Sequence, residues 1–286
     1  MMKKSTEPQW KDLDPFLLCL IFGHLSLQDQ LSCVPFVCHS WLSALLHTLF
    51  DHPNLDLTSL QDLDGHDQQL QLRQLSRYFY LLRLAIKHCK NWVSLSLPCR
   101  NMPDFATLMS VAEQTPSICR VVVPCDASVD VYPVFVAVMY WRNLRAFQGP
   151  FRGSQFVVQL ADYCEKIEEL GLHGKFSEKD VSCIVEGFPR LKVLDLSNST
   201  LPAAAAASVV VDGRLKCIRD LNVVHCKFLD EDGKDMRINY VKWKAFKLEI
   251  LEKASGINTL KKFMHCFRER TEKPCEECGV INLEEK

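Results

Sequence analysis

The chain has 286 residues, 48% of them hydrophobic, and a formal net charge of −1. That length can bury one extended core or two small domains, the apolar content excludes general disorder, and the charge balance gives no overall attraction to nucleic acid or anionic membranes. No apolar segment follows the lysines of MMKKSTEPQWKDLD, so the start does not read as a secretion signal, and the longest aliphatic run, AAAAASVVV at 203–211, is far short of the roughly 20 residues that span a bilayer.

Residues 10–48 read as three short helices. Asp14 is placed to cap the first, with Pro15 at the first helical position, where a missing N–H costs nothing. Leu17, Leu18, Ile21, Phe22 and Leu25 then form a helical stripe that Gly23 interrupts without breaking. Ser26, with Asp29 three residues on, resembles a capping box opening a second helix, which Pro35 should end or kink. A third helix from about Cys38 to Leu49 carries Trp41, Leu45, Leu46 and Leu49 on one side. A helical unit of about forty residues without staples makes a poor independent core, so a partner is the physical expectation. Cys38 and His39 pair a thiol with an imidazole, but neighbours on a helix point about 100° apart and do not face each other. A nucleophilic thiolate needs an oriented base, so these residues read as structural.

The ordered segments WKDLDP, LLCLIFGHL, DQL and VCHSW, all within residues 10–48, resemble the F-box, in particular that of plant F-box/leucine-rich-repeat proteins. F-box proteins are substrate receptors of SCF-type cullin–RING ubiquitin ligases, docking on a small adaptor subunit and through it on a cullin. The resemblance implies an adaptor-binding set made of Leu13, Pro15, Leu17, Leu18, Ile21, Phe22, Leu25, Val34, Val37, Cys38 and Trp41. It also implies a chain that is not itself an enzyme. The start departs from the commoner pattern of Leu-Pro followed by an acid: Asp14 separates Leu13 from Pro15, and Phe16 takes the acidic place.

Residues 49–90 read as a linker and a capping helix. DGHD marks a turn, and the helical stretch after it is apolar through Leu75, Phe79, Leu82 and Ile86, a face suited to covering the exposed end of a repeat array. From Trp92 an apolar residue is followed by others three and five positions later, in WVSLSL, ICRVVV, LRAFQG, IEELGL, LKVLDL and IRDLNV, with spacings of 23 to 27 residues. The leucine-rich-repeat period is about 20–29 residues. The third unit, ending in Gly149, fits least well, and the last continues to Cys226 and Phe228 at the Asn/Cys and Leu places of the consensus.

The expected fold is therefore α/β: a three-helix F-box followed by a curved solenoid of about six repeats over residues 91–230, with strands on the concave and helices on the convex side. The polyalanine run is one of those helices. A doubly wound α/β enzyme is disfavoured, because no glycine-rich phosphate loop follows any strand and the period is tight for full βαβ units.

Beyond Phe228 the periodicity stops, and residues 231–286 read as a basic helical tail. Residues 234–270 hold ten Lys or Arg against four acids, expected on solvated faces of amphipathic helices rather than at a nucleic-acid site. Cys275 and Cys278 have a zinc-type spacing that His265 or Cys266 could complete, but a second pair is missing and no metal or other cofactor is expected. The fourteen cysteines are spread singly from Cys19 to Cys278, which points to reduced thiols in a nuclear or cytosolic protein.

Strand side chains alternate faces, so residues between the ladder positions form the expected substrate surface: Arg120, Gln148, Glu169, His173, Asp195, Asp220 and Asn222 among them. That face reads as small and basic at the first repeats and acidic at the last, suiting a protein substrate with basic groups toward the C-terminal repeats. The alternative is a repeat scaffold of the same architecture that does not assemble into a ligase.

Overall fold

The structure, a computed structural model, describes residues 10, 13–63, 67–87, 92–124, 130–211, 215–266 and 279–282. It divides into two compact units, Met1–Ser117 and Ile118–Lys286.

In the first unit the local signals act as the sequence demands. Asp14 accepts the Phe16 N–H at 2.8 Å and Pro15 opens α1 (Pro15–Gly23). Ser26 accepts the Asp29 N–H at 3.1 Å to start α2 (Leu27–Ser32), while the Asp29 carboxylate accepts a hydrogen bond from the Ser26 hydroxyl, a local variant of the capping box. Pro35 has no N–H to continue that helix, and Val34–Phe36 tightens into a 3₁₀ turn before α3 (His39–Phe50). Leu18, Phe22, Leu31, Val34, Ala44, Leu45 and Phe50 close the core between these helices, and the Phe22 and Trp41 rings meet at 5.2 Å.

Two features of this unit differ from expectation. Asn54–Asp56 forms β1, which pairs in parallel with β2 (Ser94–Ser96) in the register Leu55 to Leu95. Residues 49–90 thus hold a repeat of their own. Its first ladder place is His52, polar where every other motif is apolar, which hid it from the pattern. α4 (Gln68–Ile86), capped by Asp67, follows this strand and packs against α2, α3 and α5 (Phe105–Gln114). It is the helix of the first repeat, buried through Gln74, Tyr78, Leu81, Leu82, Ala85 and Ile86. Leu75 and Phe79, expected at the centre of that face, lie half-buried at its edge, because a helix with neighbours on several sides buries more than one narrow stripe. Trp92, at the first place of the second repeat, is buried with its indole N–H donating to the Phe50 carbonyl at 2.9 Å. Burial of Tyr78 beneath α3, its ring edge-on to Phe50 at 5.5 Å, pushes its phenol up.

The second unit is a strand–helix alternation. β3 (Arg120–Val122), α6 (Tyr132–Ala137), β4 (Ala146–Pro150), α7 (Ser154–Tyr163), β5 (Glu169–His173), α8 (Glu178–Gly187) and β6 (Val193–Asp195) come first. The short strand β7 (Thr200–Pro202), α9 (Ala203–Val211), β8 (Asp220–Val223) and β9 (Lys227–Leu229) follow. The strands pair in parallel, and Val121, Phe147, Leu170, Leu194 and Leu221 stand in one register as a row of buried rungs. The polyalanine run is α9, packed between α8 and a later helix, with Ala205 and Ala206 buried. No helix among the described residues is long and apolar enough to cross a membrane. β7 and β9 pair as a second small sheet around Leu201 and Phe228, and the Cys226 thiol donates to the Leu196 carbonyl at 3.0 Å. The Gly149 unit is regular because Phe147 fills the missing volume: a Cβ on Gly149 would stand 3.1 Å from the Phe147 ring and from Val123 Cβ.

The alternation does not stop at Phe228. α10 (Tyr240–Ser255) packs on α9, and β10 (Lys262–His265) pairs in parallel with β8, placing Phe263 beside Leu221 as the next rung. β11 (Gly279–Asn282) then pairs antiparallel to β10. Residues 231–266 are therefore a further repeat rather than an appended tail. Its ladder places are Leu260, Phe263 and His265, and the histidine at the third place broke the apolar pattern. Lys242, Lys244, Lys247 and Lys253 lie away from the inner face of α10, which buries Trp243, Phe246, Ile250 and Ala254 against Phe228, while Lys261 and Lys262 stand at the start of β10. With β1 and β10 the repeats among the described residues number two more than the six read from sequence.

A rung residue and its neighbour on one strand should differ sharply in cost. Leu194→Ala is expected to lower unfolding free energy by about 2–5 kcal/mol, the range for leaving a core cavity. Val193→Ala, half-exposed beside it, should cost less than about 1 kcal/mol; urea denaturation reads both.

All ten described cysteines are free thiols, and burial raises Cys164 and Cys226 from 9.0 to about 12. The folded state holds both thiols neutral, whereas unfolding lets them ionise above their ordinary value. Their contribution is complete below pH 9.0 and lost as pH rises toward about 12. Urea midpoints should fall through that window, and less in a Cys164→Ala/Cys226→Ala variant. Equal falls in both proteins would refute this assignment.

Candidate functional site

Two surfaces collect the side chains that the sequence marks as functional, one in each unit.

The first is built by α1 and the turn after α2. α1 is apolar all round, so only its packing decides which side chains remain outside. Leu18 and Phe22 turn inward against α3, and Val34 is buried beneath the 3₁₀ turn. These three are core residues and cannot contact a partner, a correction to the adaptor-binding set. Leu17, Ile21, Leu25 and Val37 of that set stand outward, joined by Phe16, Leu20 and Phe36, all between 37 and 69% exposed. Pro15 is exposed, and Leu13, Cys38 and Trp41 are half-buried beside them. The sequence carried a signal for the residues missed, since Phe16 and Leu20 sit one helical turn apart and flank Leu17 and Ile21.

This face is held rigidly. Gln30, buried on α2, donates its amide to the carbonyls of Phe22 (2.8 Å) and Leu25 (3.1 Å), tying down the C-terminal end of α1. The Arg77 guanidinium of α4 lies 4.9 Å over the Phe36 ring, fixing that side chain while leaving it exposed. Trp41 donates its indole N–H to the Trp10 carbonyl at 3.3 Å. Contiguous apolar surface of this extent marks an interaction site. Within the same segment Cys38 begins α3 in extended backbone and His39 is exposed, and no hydrogen bond joins the two among the described residues.

The second surface is the solvent face of the parallel strands in the second unit. Backbone pairing sets its residues in rows across the strands. One row reads Arg120, Ala146, Glu169, Val193, Asp220 and Lys262. Ala146 is small enough for Arg120 to reach over it and pair with Glu169, so these two expected recognition residues neutralise each other. The next row holds Gln148, Gly171, Asp195 and Asn222. Asp195 accepts the Ser197 N–H at 2.8 Å and Asn222 accepts the Val224 N–H at 3.1 Å, so both help to end their strands. His173 donates Nδ1–H to the Ser197 carbonyl at 2.7 Å. Gln148 is exposed and Asp220 half-exposed. The acidic end expected of this face is not preserved, because β10 places Lys262 directly beside Asp220.

The residue preceding each strand forms a further row: Cys119, Arg145, Glu168, Lys192, Arg219 and Lys261, each after the first donating its N–H to the carbonyl of the one before at 2.7–2.8 Å. Lys192 reaches Glu168 at 3.0 Å and, by donating to it, holds that carboxyl below its ordinary range. A groove of about 430 Å³ opens along this row and the one after it, from β5 to β10.

No group of three or more His, Cys, Asp or Glu side chains is placed to hold a metal among the described residues, and Cys275 and Cys278 lie outside them. His265 sits 5.4 Å from the Phe263 ring, and burial lowers its pKa, so that it favours the neutral form.

No family model matches the chain. It is similar over nearly its whole length to an F-box/LRR-repeat protein of Arabidopsis thaliana, with 22% identity across 285 residues, 94% of this chain and 87% of the relative. The similarity is distant, and the name of that relative pairs an F-box with leucine-rich repeats.

Proposed function

We propose that the chain is the substrate-recognition subunit of an SCF-type E3 ubiquitin ligase. Residues 10–48 dock on the adaptor and through it on a cullin, and the repeats hold a protein substrate for ubiquitination. The observation that carries this reading is the exposed apolar face of Phe16, Leu17, Leu20, Ile21, Leu25, Phe36 and Val37, in the segment that resembles the F-box. A helical unit this small leaves such a face in water only at a cost that a partner relieves. The distant F-box/LRR-repeat relative supports the same pairing of elements. Catalysis in such an assembly is proximity, since holding a substrate near a ubiquitin-charged enzyme raises the effective concentration of its lysines. A nuclear or cytosolic location fits the free thiols of the described cysteines.

Leu17→Glu/Ile21→Glu places two charges on the exposed face without touching the core. Co-purification with the adaptor is expected to fall at least about tenfold, equivalent to about 1.4 kcal/mol, while circular dichroism and the urea midpoint stay unchanged. Undiminished adaptor binding in this folded variant would instead favour the repeat scaffold that does not enter a ligase.

A further inference from the structure

The groove at the leading ends of β5, β6, β8 and β10 is a place where parallel pairing, not side-chain preference, has collected charge. Lys192, Arg219 and Lys261 stand in one row on adjacent strands, which puts their backbones about 5 Å apart, with Lys262 one step further in. Two of the acids along this groove are already engaged: Glu168 is paired with Lys192, and Glu169 with Arg120. Arg219 is exposed and Lys262 half-exposed, and neither has a carboxylate within ion-pairing distance among the described residues. Asp220, between them, is the remaining acid of the groove. Like charges held this close by backbone hydrogen bonds repel, and at Arg219 and Lys262 the neighbouring carboxylate of Asp220, within ion-pairing distance of neither, offsets that repulsion only in part.

We infer that this groove binds anionic side chains of a protein segment laid across the strands, with Arg219 forking onto a carboxylate or phosphate and Lys262 adding a point charge beside it. The recognised chemistry is a row of oxyanions, supplied by glutamate and aspartate or by phosphoserine. A planar guanidinium suits bidentate capture of either group, and the groove is open enough for a strand-like peptide to lie in it. The sign is the reverse of the sequence-based expectation of a basic partner at the C-terminal repeats, and the reversal comes from β10 and the residues leading into it. This inference rests on the proposed role of the repeats in holding a substrate.

The test uses the full chain bound to its adaptor and four short fluorescent peptides of one length, alternating Ser with phosphoserine, glutamate, glutamine or lysine. Fluorescence anisotropy should show the phosphoserine or glutamate peptide, or both, binding at least about tenfold tighter than the glutamine peptide, with affinity falling as salt is added. Binding of the phosphoserine peptide alone would identify phosphorylation as the source of the oxyanions. Arg219→Gln/Lys262→Gln should weaken anionic binding about tenfold and leave adaptor binding unchanged. Asp220→Asn should strengthen it, a gain that a misfolded variant cannot produce. Equal binding of the lysine peptide, indifference to both variants, or an RNA oligonucleotide bound more tightly through the same residues would overturn the inference. Loss of adaptor binding with peptide binding intact would count against the ligase role instead, so the two failures are separable.

Discussion

The physical constraint on which the second unit depends is the burial of one apolar rung per strand in parallel register. A strand of three residues such as β3 or β6 makes too few hydrogen bonds to persist alone, and its rung side chain stays in water unless the next repeat covers it. Val121, Phe147, Leu170, Leu194, Leu221 and Phe263 satisfy one another in turn. Each contributes burial worth about 1.5–3 kcal/mol. The helices behind them obey the same rule: α7 meets α8 so closely that a Cβ on Gly187 would stand 2.9 Å from that of Ala161. The spacing of strands and helices is set together, and a bulkier residue at one contact would disturb both layers.

The register that buries the rungs also dictates what lies on the solvent face. Side chains there occupy rows whether or not their charges suit one another. Arg120 meets Glu169 across an alanine, Lys192 meets Glu168, and Lys262 is set beside Asp220. Asp195 and Asn222 spend their oxygens on backbone N–H groups at strand ends, so residues that look like ligands along the chain belong in part to the architecture. Much of this face is engaged within the fold itself.

The first unit solves a different problem. Its three short helices can hide Leu18, Phe22, Leu31 and Leu45 only by leaving the other side of an all-apolar α1 in water. The buried Gln30 amide and the Arg77 guanidinium hold that outer side in a defined shape rather than letting it collapse. The surface of this unit that most needs covering is therefore the outer side of α1.

The sequence by itself determined every element with a local physical signature. The Asp14 and Pro15 helix start, the break at Pro35, the long helix after Asp67, and the six strands whose ladder places are all apolar stand where the residues put them. It also carries both the 3.6-residue and the repeat-length periodicity, since these are properties of the chain alone. What only the tertiary structure decided are the matters that depend on neighbours. β1 and β10 join the pairing despite His52 and His265 at ladder places, because a flanking strand supplies hydrogen-bond partners whatever the side chain. Which side of α1 faces water, and which charges become neighbours, were equally illegible. Periodicity cannot orient a helix that is apolar on every side, and adjacency between parallel strands joins residues that lie 23 or more positions apart in the chain.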